Sequence, residues 1–278
     1  MRGSARTTAK WSHDRPASGS GLMERQLSGK ELERYRRQLM LGGFTTDHQR
    51  KLKGSTAFVA GVGGLGGAAA VYLAAAGIGK MKLAHYGNLT LSNMNRQILM
   101  KDRRIGESRV VQARKSIRGI NSGVAVDIYN ERTTEENVAS FLNGAQIALS
   151  ARPNFRERRI LNAACVSNQI PMVEAAMNGM EGYVFNFIPG ITPCLNCLYP
   201  EDDPLWEELG FPVLGAVSGM LGCIMALEAI KLLTGFGKPL LSHMLLFNSS
   251  DMEFRKLRIR RDDRCRVCGD KHRPVFRN

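Results

Sequence analysis

An α/β fold with a Rossmann-like, doubly wound and mostly parallel sheet, closed by antiparallel C-terminal strands and a four-cysteine zinc staple, is predicted by three observations. The first is the run from Ala57 to Gly77, where a short apolar segment meets Gly61-Val-Gly63-Gly64-Leu65-Gly66 and passes into an alanine-rich stretch. The second is the alternation of strand-like and helix-like segments that follows it, which implies parallel pairing with crossover helices. The third is a pair of C-x-x-C motifs, Cys194/Cys197 and Cys265/Cys268.

The order of elements follows from local chemistry. Ser28 with Glu31 three residues on has capping-box spacing and predicts an amphipathic helix through Leu39, carrying Arg34, Arg36 and Arg37. Ala57–Ala60 reads as a buried parallel strand, and Ala68–Ala76 as a helix whose small residues pack closely on it. Between them Gly61 permits the tight turn, Gly63 lets backbone N–H groups approach a phosphate, and Gly66 allows helix and strand to touch. Lys80–Ala84 is the second strand. At its end, about 20 residues past such glycines, a nucleotide site places an acid on the ribose hydroxyls. This chain has His85-Tyr86-Gly87 there.

Beyond it, a helix opening near Ile105-Gly106 and running to Ile120, a strand over Val124–Tyr129 and a helix over Thr134–Asn143 are expected. A buried strand, Ala145–Ser150, leads to Ala151-Arg152-Pro153-Asn154, then a helix from Arg156 to Asn168, a strand from Pro171 to Ala176 and an antiparallel strand from Tyr183 to Phe187. Pro212–Leu233 reads as a long buried helix stopped by Gly235, with Met244–Asn248 and Phe254–Ile259 as closing strands. Cys165 and Cys223 read as ordinary buried cysteines.

The whole is one domain over residues 23–278, with a nucleotide-binding half at about 50–176 and a zinc-stapled half at about 177–270. Residues 1–22 are Ser-, Arg- and Gly-rich without an apolar core, and read as a disordered leader or tag outside the fold. No apolar run is expected to span a bilayer, because Gly, Ser, Glu and Lys interrupt Val213–Leu233 before the roughly 18 residues required. The net charge of +14 raises nucleic acid as a partner. The basic clusters lack the interleaved aromatics of a stacking platform, which favours an acidic protein or a polyanionic cofactor instead.

Two C-x-x-C pairs are self-contained clamps that set four thiolates around one Zn2+, Cys194, Cys197, Cys265 and Cys268. Neither pair follows a βα unit, which argues against redox motifs, and the reduced thiols point to the cytoplasm. Four ligands close such a site, making it structural.

Arg37-Gln38, the Gly61–Gly66 loop, Leu91-Ser-Asn93-Met-Asn-Arg96-Gln, Ile105-Gly106, Asn162-Ala-Ala-Cys, Gly179-Met-Glu-Gly182, both C-x-x-C pairs and Ala226-Leu-Glu-Ala-Ile-Lys231 stand in an order that resembles the ThiF/MoeB/HesA family over residues 28–270. The resemblance implies a zinc-stapled homodimer that binds ATP with Mg2+ and adenylates a carboxylate of a small protein, peptide or metabolite. It implies a nucleotide pocket of Gly61, Gly63, Gly64, Gly66, His85, Asn93, Arg96, Arg109 and Asn154. Arg96 and Arg109 are then phosphate contacts, and Arg37 reaches into the partner's site; as catalytic residues these three arginines suit the task because a guanidinium meets phosphate oxygens bidentately and keeps its charge. On the residues alone, Arg37 reads instead as part of a solvated helix face.

The departures from the family pattern are specific. His85 and Gly87 stand where the family has acids, Arg109 replaces a lysine, and Pro153 stands where an aspartate engages Mg2+. Glu208 falls where some members carry a reactive cysteine, so no thioester step is expected. Asp102 is a substitute acid for the metal. Three readings stay open: a divergent ATP-dependent adenylyltransferase, a catalytically degenerate dimer that binds an anion or a partner, and an NADP-type dinucleotide binder.

Overall fold

The computed structural model describes residues 26–201 and 210–269. The leader assigned to residues 1–22 and the Glu208 position lie outside them.

Among the described residues the strands are β1 Thr56–Ala60, β2 Lys80–Ala84, β3 Ala125–Tyr129, β4 Ile147–Ser150, β5 Met172–Asn178, β6 Glu181–Phe187, β7 His243–Asn248 and β8 Glu253–Arg258. They form one sheet in the order β3-β2-β1-β4-β5-β6-β7-β8. The first five run parallel, and β6, β7 and β8 add antiparallel. Ala60 of β1 pairs with Ala84 on one side and Ser150 on the other. The strand order therefore reverses between β1 and β4, and a crevice opens outside their carboxyl ends. Residues 57–60 are fully buried, as a central parallel strand covered on both faces requires. β8 is exposed along its length and carries Arg255, Lys256 and Arg258, charges that protect a free edge.

The helices are α1 Gly29–Arg34, α2 Arg36–Leu39, α3 Thr46–Lys53, α4 Gly64–Ala76, α5 Arg109–Ile120, α6 Val138–Leu142, α7 Phe155–Ser167, α8 Leu195–Leu198 and α9 Gly215–Thr234. The Ser28–Glu31 capping box is present, but the single helix expected through Leu39 divides at Tyr35. Tyr35 is buried, and its hydroxyl accepts from Asn121 Nδ2 at 3.0 Å. Anchoring that ring beneath Gly77 breaks the helical path. The helix expected over Thr134–Asn143 shortens to α6 because Thr134 N donates to Asn137 Oδ1 at 2.9 Å, a side-chain turn that competes with helix. Cys165 is buried as expected, whereas Cys223 is only partly buried on α9.

Helix α9 also corrects the membrane expectation. It is 20 residues long and holds an 18-residue window with a mean hydropathy of 1.7, long and apolar enough to cross a bilayer by those measures. Half of that window is buried within the protein, where α9 lies against α4 and the sheet. Close approach explains the composition. A Cβ added at Gly222 would stand 2.3 Å from Leu65 O and 2.7 Å from Ala68 Cβ, so the two helices meet nearly backbone to backbone.

Gly222→Ala is therefore expected to destabilise the chain by about 1–3 kcal/mol through overpacking. Gly219→Ala, one turn away, meets nothing within 4 Å and should be neutral or stabilising by up to about 1 kcal/mol. Urea unfolding of the two variants checks the contrast.

Candidate active site

The crevice is built by the glycine turn. Gly61 follows β1 at φ +97°, and a Cβ there would lie 2.7 Å from Ala151 O at the end of β4. A Cβ on Gly66 would lie 1.8 Å from Gly61 O, so α4 sits against the turn only because both residues lack one. Gly63 is the N-cap of α4, and Gly63, Gly64 and Leu65 line a cavity of about 650 Å³. The first N–H groups of a helix and its dipole together favour an anion at such a place.

Four guanidiniums share the cavity wall, those of Arg96, Arg109, Arg152 and Arg158. Each is held from behind. Arg96 Nη1 donates to Ser92 O at 2.9 Å and to Asn95 Oδ1 at 2.8 Å. Arg109 Nη2 donates to Tyr86 O at 2.6 Å; burial, then the neighbouring Arg152 charge, lowers its pKa. Arg152 Nη2 donates to Glu157 Oε1 at 2.8 Å, with both side chains buried. Burial alone would push the Glu157 carboxyl up, yet the Arg152 hydrogen bond and charge hold it below the usual carboxylate range. Arg158 Nε donates to Glu174 Oε1 at 2.8 Å, and the same guanidinium meets the Tyr183 hydroxyl.

Of the residues expected in a nucleotide pocket, Gly63, Gly64, His85, Asn93, Arg96 and Arg109 line the cavity, and so does Pro153. Gly61 and Gly66 shape the turn beside it. Asn154 instead caps α7, its Oδ1 accepting from Glu157 N at 2.8 Å while its Nδ2 donates to Glu157 Oε1. Arg37 is exposed on α2 and is not among the residues lining the cavity of its own chain. Sequence reasoning missed Glu157 and Tyr86. Glu157 is the counter-ion of Arg152, and the Tyr86 ring lies 5.2 Å from the Arg152 guanidinium carbon. A carboxylate five residues after an arginine, across a helix start, has no periodic signature.

Among the described residues no Asp or Glu lines the cavity, and Asp102 is exposed outside it. Mg2+ is held by carboxylate oxygens alongside phosphates. The donor set of this wall does not fit a carboxylate-held Mg2+. A second cavity of about 400 Å³ adjoins the first, sharing Arg158, Ala176 and Met177, and is walled by Phe155, Tyr183, Tyr199 and Phe247.

Further along α7, where Asn162 Oδ1 accepts from Leu195 N at 3.0 Å, the four motif cysteines converge. Cys194 lies 3.9 Å from Cys197 and 3.7 Å from Cys265, sulfur to sulfur, and Cys197 lies 3.4 Å from Cys268. All four sulfurs fall within 4.8 Å of one another. Tetrahedral thiolates at about 2.3 Å from a metal stand about 3.8 Å apart, so the cluster fits one metal ion with no open position.

A switch-point crevice, a glycine turn against a helix N-terminus and a wall of anchored guanidiniums define an α/β protein with a cationic cavity, beside four cysteines that could hold a metal ion. The chain belongs to the ThiF family, whose model matches residues 35–267. It is 51% identical over 244 residues to the heterocyst HesA protein of Trichormus variabilis, covering 88% of this chain and 91% of that protein. It is 35% identical to the molybdopterin-synthase adenylyltransferase of Escherichia coli, over 88% of this chain and 99% of the relative. The sulfur carrier protein adenylyltransferase of Thermus thermophilus is 36% identical over 87% of this chain and 92% of its own length. In structure the chain superposes on E. coli MccB with MccA-N7isoASN at a TM-score of 0.78, covering 89% of this chain and 77% of that one at 22% identity, a likeness of fold.

One titration tests the site directly. Burial first, then the charges of Arg109 and Arg152, hold the His85 imidazole well below its usual value of 6.5. Below about pH 6.5 the unfolded chain binds a proton that the folded chain does not, so stability is full above that pH and falls as pH drops toward the folded pKa. Thermal and urea unfolding between pH 7.5 and 5 should show an acid-side loss of up to about 1.4 kcal/mol per pH unit, and His85→Gln should flatten it.

Proposed function

We propose that the protein binds ATP in the cavity at the β1–β4 switch point and adenylates a carboxylate of a small protein, peptide or metabolite. The observation that carries this reading is the convergence of Arg96, Arg109, Arg152 and Arg158 on the start of α4 in one cavity. It is supported by relatives named as adenylyltransferases over nearly the whole chain.

In the reaction a carboxylate oxygen attacks the α-phosphorus, the bond to the β-phosphate oxygen breaks, and pyrophosphate leaves with the bonding pair. Charge develops on the phosphate oxygens, where anchored guanidiniums stabilise it without reorganising. Arg96 and Arg109 serve the phosphates, and Arg152 and Arg158, each paired with a buried glutamate, add N–H donors to the rest of the wall. His85, Asn93, Gly63 and Gly64 contact the nucleotide, with Gly61, Gly66 and Asn154 shaping the loops around it. The adjoining aromatic cavity receives the segment that bears the carboxylate, since it opens onto the same Arg158. The step uses no cysteine nucleophile and yields an acyl-adenylate.

The working unit is a homodimer in the cytoplasm, where ATP is available and thiols stay reduced. Exposed Leu91, Ile98, Leu214 and Leu227 support an interface between copies. There Arg37 reaches the phosphates of the second copy, which gives a charged helix outside its own cavity a task. Zn2+ is the metal that suits four thiolates, held by Cys194, Cys197, Cys265 and Cys268 as a structural staple.

A second reading has its own observation. Pro153 and His85 line the cavity in place of acids, which favours an anion-binding dimer without turnover or an NADP-type binder. ATP–pyrophosphate exchange with candidate carboxylates separates the readings. The adenylyltransferase requires carboxylate-dependent exchange, and Arg96→Ala should lower it about 100-fold or more. Nucleotide binding with no exchange for any carboxylate leaves the binder, and a thermal shift with NADP but not ATP leaves the dinucleotide reading.

The staple has a separate check. Protein purified under reducing conditions should carry about one Zn2+ per chain, and Cys268→Ser should lower both metal content and Tm. Less than half an equivalent in well-folded protein would count against it.

A further inference from the structure

One face of α7 carries Phe155, Arg158, Arg159 and Asn162, at the spacing that sets side chains one above another on a helix. At the far end of that face Asn162 is fully buried and grips the loop between the first two cysteines. Its Oδ1 accepts from Leu195 N and its Nδ2 donates to Asn196 Oδ1, both at 3.0 Å. One turn earlier, Arg159 spans the chain that leaves the cluster, donating from Nη1 to Tyr199 O and from Nη2 to Glu201 O, both at 2.7 Å. At the start of the face, Phe155 and Arg158 stand in the wall of the second cavity.

A short segment joins the cysteines to that cavity. Cys194 is the N-cap of α8, Cys197 lies within it, and Tyr199 is its C-cap, with Tyr199 N donating to Leu195 O at 2.9 Å. So short a helix does not hold itself together. Its geometry comes from the contacts around it, those of the two cysteines, Asn162 and the buried Leu195. Tyr199 carries that geometry into the cavity wall, its ring 5.7 Å from Phe155 and stacked on Tyr183 at 5.8 Å and 23°. A staple that only closes the fold needs no grip beyond Cys197. The Arg159 fork supplies one, because two N–H groups on two carbonyls fix the direction of the chain between them.

We propose that Arg159 is a positioning residue that couples the four-cysteine cluster to the second cavity. With the cysteines closed on a metal, the Arg159 fork holds Tyr199 against Phe155 and Tyr183, and the cavity has the shape that takes the carboxylate-bearing segment. With the cluster open, α8 loses two of its anchors and Tyr199 leaves that wall. The proposal rests on the reading, given above, that this cavity receives that segment. Such coupling is reciprocal, so whatever holds Tyr199 in place also raises the affinity of the cysteines for metal.

The test uses the intact chain loaded with Zn2+ under reducing conditions, as wild type, Arg159→Ala, Arg159→Lys and, to control for lost stability, Gly222→Ala. Zn2+ affinity, measured by competition with a chromogenic chelator, should be about tenfold weaker in Arg159→Ala and intermediate in Arg159→Lys, which offers a point charge in place of the fork. Gly222→Ala should stay within about twofold of wild type. In ATP–pyrophosphate exchange, Arg159→Ala should raise KM for the carboxylate substrate about tenfold and leave KM for ATP within about twofold, a split that lost stability alone does not produce. Zn2+ affinity unchanged in Arg159→Ala overturns the proposal, as does an equal loss in Gly222→Ala or an equal rise in both KM values. Weaker Zn2+ binding with no exchange in any variant supports the coupling and counts against adenylation. Wild-type protein that takes up no Zn2+ overturns the coupling together with the staple and leaves the nucleotide site standing.

Discussion

Four guanidiniums can share one cavity wall because buried carboxylates and carbonyls stand behind them. Glu157 neutralises Arg152 and Glu174 neutralises Arg158, while Tyr86 O and Ser92 O hold Arg109 and Arg96. Like charges at such separations repel, and removing one partner from a buried pair costs about 3–5 kcal/mol. Each acid is fixed in turn by the scaffold. Glu157 Oε2 accepts from Thr133 N at 3.1 Å, which ties the loop after β3 to α7. The electrostatics of the site thus depend on helix α7 starting where it does, and Asn154 sets that start by capping it.

The scaffold beneath the wall is fixed by small residues. Gly61 and Gly66 let the turn lie against the end of β4, and Gly64 faces Ser218 of α9, where a Cβ would stand 2.5 Å from its Oγ. The long apolar helix therefore reaches the cavity beside the start of α4 as well as the core. Its composition satisfies a membrane criterion for the same reason that it serves here. A helix wedged between α4 and the sheet must be apolar on most sides and small where backbones touch. The thiol cluster acts at the opposite end, joining the segment after β6 to the tail after β8 across Phe58, Phe187 and Leu161.

Much of this was legible in the sequence. Lys80–Ala84 is strand β2 to the residue, and the glycine turn and cysteine pairs announced both sites, because each rests on a local rule. The errors have local causes too. Tyr35 broke a helix through a tertiary anchor, and Asn137 shortened another by a side-chain turn. The facing of individual arginines was least legible. Arg156 is exposed, yet Arg152 and Arg158 on either side of it line the cavity, a distinction set by helix phase and by the two buried acids. Nothing in the order of residues shows that Glu157 and Glu174 lie behind the wall.

That placement carries the main chemical consequence. A carboxylate inside a phosphate cavity recruits a metal ion, and the metal then supplies the positive charge. A carboxylate behind an arginine recruits only the arginine, and the protein supplies the charge itself. Here the cavity wall holds Pro153 and a neutral His85, with the acids one layer deeper. With no acid lining it among the described residues, the wall suits an anion better than a carboxylate-held metal.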